Sequence, residues 1–199
     1  KIPTEKYLTE RVDFATFSGH KFHGVRGVGF VYIKSGKKIT PLLTGGGQEH
    51  DYRSTTENVA GIAATAKALR LSMEKLDVFT SKTGQMKAVI RQALLDYPDI
   101  FVFSDEEDFA PHILTFGIKG VRGEVIVHAF EDYDIFISTT SACSSKAGKP
   151  AGTLIAMGVD KDKAQSAVRL SLDLENDMSQ VEQFLTKLKL IYNQTRKVR

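Results

Sequence analysis

The chain has 199 residues, 42% of them hydrophobic, which excludes a mainly disordered polypeptide. Lys and Arg outnumber Asp and Glu by 27 to 24, and a formal charge of +3 is too small to argue for direct nucleic-acid binding. No run reaches the roughly 20 apolar residues that span a bilayer and no signal-peptide pattern opens the chain, so a cytoplasmic setting is expected, and the single cysteine, Cys143, excludes an intramolecular disulfide.

In chain order, VDFATF predicts a short strand ending at Ser18, and VGFVYIK after Gly27 predicts a second, rich in the residues that sheets prefer. Between them lies SGHKFHG, whose Lys21 falls at a strand end, where open α/β folds place ligands; a glycine-rich hairpin with solvent-facing charges is the competing reading. PLLTGGGQEHDYRSTTEN, Pro41 to Asn58, predicts a long loop with several directional donors. From about Thr56, Val59, Ile62, Ala66, Leu69, Met73 and Leu76 recur at three- and four-residue steps, which predicts an amphipathic helix whose alanines permit close packing on the preceding sheet. Another helix, Lys82 to Leu95, should stop near Pro98.

Beyond Pro98 the pattern reads as α+β. Strands are expected at 101–103, 112–118 and 134–138, the last over DIFIS, with a short helix from Glu124 to Phe130. A helix from Gly152 to Met157 should end at Gly158, followed by a helical turn or two over Lys161 to Ala167 and the strand VRLSL at 168–172. Ser179 and Glu182 form a capping-box pattern for the last helix, whose stripe is Val181, Phe184, Leu185, Leu188, Ile191 and Tyr192. The cations near its end, Lys187, Lys189, Arg196, Lys197 and Arg199, suit a solvated helix terminus. The change of pattern divides the chain into residues 1–77 and 78–199.

Four groups carry candidate chemistry. His20 and His23 could face a metal ion, but His50, His112 and His128 are scattered, so no metal site is expected. Lys21 suits a cofactor aldehyde, with Ser18 and His20 as phosphate donors and Gly19 and Gly27 allowing close backbone approach. Cys143, in ISTTSACSSKAGKPAG, has Lys146 and Lys149 nearby to favour thiolate; a small residue filling a turn is the plainer reading. Arg169 interrupts an apolar strand and requires a partner, for which a carboxylate is the natural choice.

Together these segments resemble the C-terminal half of a cysteine desulfurase, a class V member of the fold-type I pyridoxal phosphate enzymes. The family's Ser-x-His-Lys-x-x-Gly is matched by Ser18, His20, Lys21 and Gly24, its Gly-Gly-Gly-Gln-Glu by residues 45–49, its Arg-Ser-Gly-Thr-Glu-Asn by RSTTEN at 53–58, and its Ser-Ala-Cys-Ser by residues 141–144. The resemblance implies an α/β fold in which residues 1–77 are the C-terminal part of the large cofactor-binding domain and 78–199 an α+β small domain carrying the catalytic cysteine loop. It implies pyridoxal 5'-phosphate bound covalently by Lys21 and held by Ser18 and His20, with Thr56 reaching the phosphate of a second protomer in a homodimer. It further implies Arg169 on the substrate carboxylate, Cys143 as sulfur acceptor from L-cysteine, an iron–sulfur scaffold or other sulfur-acceptor protein as partner, and a missing N-terminal half of the same enzyme, so that the complete enzyme is expected to be active and the isolated chain inactive.

Class V aminotransferase, selenocysteine lyase and catalytically inactive fragment are the alternatives. Four positions depart from the family pattern: Val25 for proline, Thr55 and Thr140 for glycine, and Asp173 for glycine. A threonine in place of glycine is costly where the backbone needs positive φ.

Overall fold

Alternating aromatic and β-branched residues build the hairpin that opens the first unit: β1 (Phe14–Ser18) pairs antiparallel with β2 (Gly29–Ile33), with Phe14 opposite Ile33 and Ser18 opposite Gly29. The structure is a computed structural model that describes residues 8–104, 109–139 and 152–197. Phe17 and Phe30 face each other across the pair and stack at 4.7 Å. β1 runs into a single 3₁₀ turn, Gly19–Phe22, ended by His23 at φ 67. The turn is closed by backbone bonds, from Gly19 N–H to Val28 O at 2.9 Å and from Gly24 N–H to Gly19 O at 2.9 Å.

Helix α1 (Val59–Glu74) starts where the Asn58 side chain accepts from Gly61 N–H at 3.0 Å, satisfying an otherwise unpaired donor. Its buried positions are Gly61 and Thr65. The expected apolar stripe is not the buried one: Val59 is 72% exposed, and Ile62 and Met73 are also exposed. Small residues win because the turn after β1 approaches the helix closely, leaving no room for a large side chain. The Ser72 hydroxyl adds a bond to Phe22 O at 3.2 Å.

The chain divides into two units, Lys1–Val78 and Phe79–Arg199. In the first, Phe22 alone among the described large apolar side chains is buried, whereas Phe30, Val31 and Tyr32 are all exposed. Since successive strand residues point to opposite faces, β2 presents apolar surface on both. The long loop contains three consecutive non-glycine residues in the left-handed region, Glu49, His50 and Asp51 at φ 51, 54 and 68. Thr55 is not among the positive-φ residues, so the backbone there does not call for glycine.

The second unit is built on a four-stranded sheet of order β3–β4–β6–β5, every neighbouring pair antiparallel. Its strands are β3 (Ile100–Val102), β4 (Ile113–Ile118), β5 (Ser138–Thr139) and β6 (Ala167–Ser171). Leu114, Phe116, Ile118 and Val168 project from one face into the core with no exposed surface. Against them pack α2 (Leu76–Leu95) through Met86, Ile90 and Leu94, α3 (Gly123–Glu131) through Ile126 and Phe130, and α6 (Met178–Lys197) through Phe184 and Leu188. Phe130 and Phe184 stack at 5.0 Å and Phe116 meets Phe184 edge-on at 6.2 Å, so one ring joins two helices to the sheet. A smaller cluster, Leu154, Ala164 and Ala167, joins α4 (Gly152–Ala156) and α5 (Lys161–Gln165) to β6.

Three sequence expectations change here. α2 starts at Leu76 instead of Lys82, because buried Phe79 and Thr83 draw a β-branched, helix-poor stretch into the helix; Thr83 Oγ1 donates to Phe79 O at 2.7 Å. Most of DIFIS is not strand: Asp134, at φ 57, reverses the chain after α3, and Ile135 N–H bonds Phe130 O at 3.1 Å, so among the described residues of this segment only Ser138 and Thr139 reach the sheet. The last helix is capped by Asp177 and Gln180 instead of Ser179 and Glu182. Asp177 Oδ1 accepts from Gln180 N–H at 3.0 Å while Gln180 Oε1 accepts from Asp177 N–H at 3.2 Å, a reciprocal pair set two residues earlier than the sequence pattern suggested.

Candidate active site

The turn after β1 gathers three polar groups within four residues. Ser18, the last strand residue, takes an extended backbone at φ −98 and ψ 119, and its hydroxyl makes no cap bond to the turn that follows. Ser18, His20 and Lys21 are all exposed. Among the described residues none of the three side chains has a hydrogen-bond partner, so an exposed hydroxyl, imidazole and amine lie within four residues of one another.

Two glycines make this placement possible. A Cβ at Gly24 would lie 2.8 Å from Gly19 O, and one at Gly19 would lie 2.8 Å from Val28 O. Backbone cannot yield at that distance as a flexible side chain could, so the turn requires glycine at both positions. Phe22, 8% exposed, anchors the turn from beneath while its polar neighbours face outward. His23 closes the turn in the left-handed region, which fixes where its backbone points. Val25, in place of the family's proline, is 42% exposed.

Thr56 lies two residues before the Asn58 cap of α1 and is exposed. Arg169 belongs to the second unit, in the middle of β6, directly opposite Thr115 on β4 and Ser138 on β5. Its residue is half-buried, and its Nε is shielded from solvent with no hydrogen-bond partner among the described residues. The carboxylate partner expected from the sequence is therefore not supplied within this unit's described residues. Asp173, two residues past β6, is used structurally: its N–H donates to Asn176 Oδ1 at 2.8 Å and its Oδ1 accepts from Leu174 N–H at 2.7 Å. Cys143 and Thr140 lie outside the described residues.

Among the described residues no cluster of three or more His, Cys, Asp or Glu side chains is arranged to hold a metal ion. No described helix is long and apolar enough to cross a membrane. Two features of the site were not legible beforehand. Thr65 is one of the helix residues that receive the turn, and Thr115 is the β4 neighbour of Arg169; helical and strand periodicity place both on polar positions but cannot say what they meet.

The family model described as aminotransferase class-V matches residues 8–184. The chain belongs to the aminotransferase class-V family. A NifS/IcsS protein homolog from Lactobacillus delbrueckii subsp. bulgaricus is 46% identical over 98% of this chain and 51% of its own length. A protein named cysteine desulfurase IscS from Clostridium botulinum is 34% identical over 94% of this chain and 48% of its own length. Among solved structures, a NifS-like protein is 34% identical with a TM-score of 0.79, covering 94% of this chain and 47% of that one. A NifS-like protein from Rickettsia africae is 29% identical with a TM-score of 0.80, covering 92% of this chain and 48% of that one.

The chain thus spans about half the length of the curated relatives it matches. Its mixed α/β architecture, a small sheet core with flanking helices, matches part of a fold-type I pyridoxal phosphate enzyme.

Proposed function

We propose that this class-V protein acts as a pyridoxal 5'-phosphate-dependent cysteine desulfurase, taking sulfur from L-cysteine and releasing L-alanine. The observation that carries the reading is the turn in which Ser18, His20 and Lys21 hold three exposed polar groups, without partners among the described residues, on a backbone fixed by Gly19 and Gly24. That donor set fits the cofactor: an amine for its aldehyde, a hydroxyl and a ring N–H for its phosphate. The similarity to a protein named cysteine desulfurase favours this chemistry over other class-V reactions.

When bound, the cofactor supplies an electron sink for the substrate's α-carbon. Lys21 is its attachment point and afterwards carries the α-proton, for which its amine must be neutral at the moment it acts. Ser18 and His20 hold the phosphate, and Thr56 reaches the phosphate bound by a second copy, which makes the working unit a homodimer. Arg169 grips the substrate carboxylate, the partner its buried Nε lacks. Cys143, as thiolate, attacks the substrate sulfur: the carbon–sulfur bond breaks, a sulfur–sulfur bond forms, and a proton returns to carbon. L-cysteine and one thiol become L-alanine and one persulfide, with no external oxidant or reductant. The persulfide then passes to a sulfur-acceptor protein such as an iron–sulfur scaffold.

The apolar surface on both faces of β2 supports a further element of the reading. Contiguous exposed apolar surface of that kind marks a face that another layer covers. We assign the covering layers to polypeptide equivalent to the half of the relatives that this chain does not match.

The test is turnover of L-cysteine by the purified protein, with alanine and protein-bound persulfide measured together. Joined by polypeptide equivalent to the unmatched half of its relatives, wild type should form both, and Cys143→Ser should retain cofactor colour while losing the persulfide. Undiminished alanine formation by Cys143→Ser would remove Cys143 from the reaction.

A further inference from the structure

Thr115, Arg169 and Ser138 form one line across three strands of the second unit's sheet. Directly opposed residues of antiparallel strands project from the same face, with Cβ atoms about 5 Å apart. The adjacent line, Phe116, Val168 and Thr139, projects from the other face, where Phe116 and Val168 have no exposed surface. All three residues of the Arg169 line are half-buried. Arg169 therefore has a hydroxyl-bearing residue beside it on each neighbouring strand.

The two flanks differ in rigidity. Thr115 stands on an inner strand, and its backbone is held at both ends: its carbonyl accepts from Phe103 N–H at 2.8 Å, and its N–H donates to Ser104 Oγ at 2.7 Å. Ser104 is 2% exposed, so its side chain extends the β3–β4 ladder past the end of β3 in a position closed to water. Ser138 stands on the short edge strand β5. Arg169 Nε, buried and without an acceptor among the described residues, is the group that a neighbouring hydroxyl can satisfy.

We propose that Thr115 is a positioning residue for Arg169: when a carboxylate occupies the two terminal nitrogens of the guanidinium, Thr115 Oγ1 accepts from Nε–H and fixes the plane of the fork. The inference rests on the reading of Arg169 as the carboxylate site. Thr115 sets the orientation of that site without touching the substrate, and Ser104 holds Thr115 in register.

The test follows the Arg169 Nε–H resonance by ¹⁵N NMR while the purified protein is titrated with L-alanine, which carries the carboxylate without the thiol. Ethylamine is the carboxylate-free control. L-alanine should move the resonance and ethylamine should not. Thr115→Val should weaken the apparent affinity about tenfold, the scale of a hydrogen bond to a charged group. Thr115→Ser should restore it, and Ser138→Ala should leave it near wild type. Thr115→Ala provides a second hydroxyl deletion should the valine variant not fold. An unchanged affinity in the folded hydroxyl deletion overturns the proposal while Arg169 keeps its role, and so does a loss carried by Ser138→Ala instead. An Arg169 resonance that ignores L-alanine in the wild-type protein removes the carboxylate reading and the proposal with it.

Discussion

Gly19 lies so close to Thr65 that a Cβ on the glycine would sit 3.0 Å from Thr65 Cγ2, besides 2.8 Å from Val28 O. The contact seats the lysine-bearing turn on α1, and the carbonyl is the part that cannot move aside. Gly19→Ala should therefore destabilise the first unit by about 1–3 kcal/mol, the range for forcing extra volume into a close contact. Denaturant unfolding checks the stability, and cofactor titration should show weaker loading because the turn that carries Lys21 is displaced.

Thr65 itself contains an opposite opportunity. Its Oγ1 is buried and has no hydrogen-bond partner among the described residues. Thr65→Val keeps the branched shape and removes the unmet group, so it should stabilise the protein by about 1 kcal/mol. Denaturant titration of the purified protein reads the change as a higher midpoint with an unaltered slope.

The α6 cap has a pH signature. Asp177 has its pKa lowered from 3.8, first by the hydrogen bond from Ser179 and next by that from the Gln180 backbone, with Lys82 adding a smaller attraction. A depressed folded value means that the carboxylate's contribution is present above the unfolded pKa and fades as pH falls below about 4 toward the folded value. Asp177→Asn keeps an oxygen acceptor and loses the charge, so its stability deficit against wild type should be present at neutral pH and shrink in acid. Paired urea titrations at neutral pH and below the unfolded pKa measure it.

Lys87 is a buried amine on the inner face of α2. It is 7% exposed, donates to Ala110 O at 3.1 Å, and has its pKa lowered from 10.5, mainly by burial and further by Arg91. With the folded value lowered, the charged amine costs stability at neutral pH, and that cost fades as pH rises through the folded value toward 10.5. Lys87→Met, similar in length and uncharged, should be more stable than wild type by about 1 kcal/mol near neutrality. The margin should narrow at alkaline pH in parallel thermal melts.

The sequence made the second unit more readable than the first. Phe184, Leu188 and Ile191 sit at helical spacing and are buried as that spacing implies, because this unit supplies its own sheet and helices to bury them. In α1 the same kind of spacing misled: Val59, Ile62 and Met73 are exposed, while Gly61 and Thr65 take the buried face. Periodicity reports which side of a helix is apolar, not whether a partner is present to cover it.

Local competition explains the other differences. Asp134 reverses the chain in a left-handed conformation, and backbone bonds back to α3 consume residues whose alternation resembled a strand. At the start of α6 two cap patterns overlap within six residues, and the Asp177–Gln180 pair forms in both directions while Ser179 donates to Asp177. Of the two glycines read for close backbone approach around Lys21, Gly19 packs against Val28 O and Thr65, whereas Gly27 has nothing within 4 Å of a Cβ and serves a positive φ of 81 instead. The hydroxyls beside Arg169 were not legible, since strand register between β4, β5 and β6 is a tertiary property.

The central claim is that Lys21 is the residue that holds the cofactor, and borohydride reduction of the protein with pyridoxal 5'-phosphate, followed by peptide mapping, tests it most directly. The account predicts the phosphopyridoxyl mass on the peptide containing Lys21 and its disappearance in Lys21→Arg. The mass on another lysine, with the buried Lys87, whose pKa burial lowers, as the foremost competitor, or its persistence in Lys21→Arg, would contradict the account.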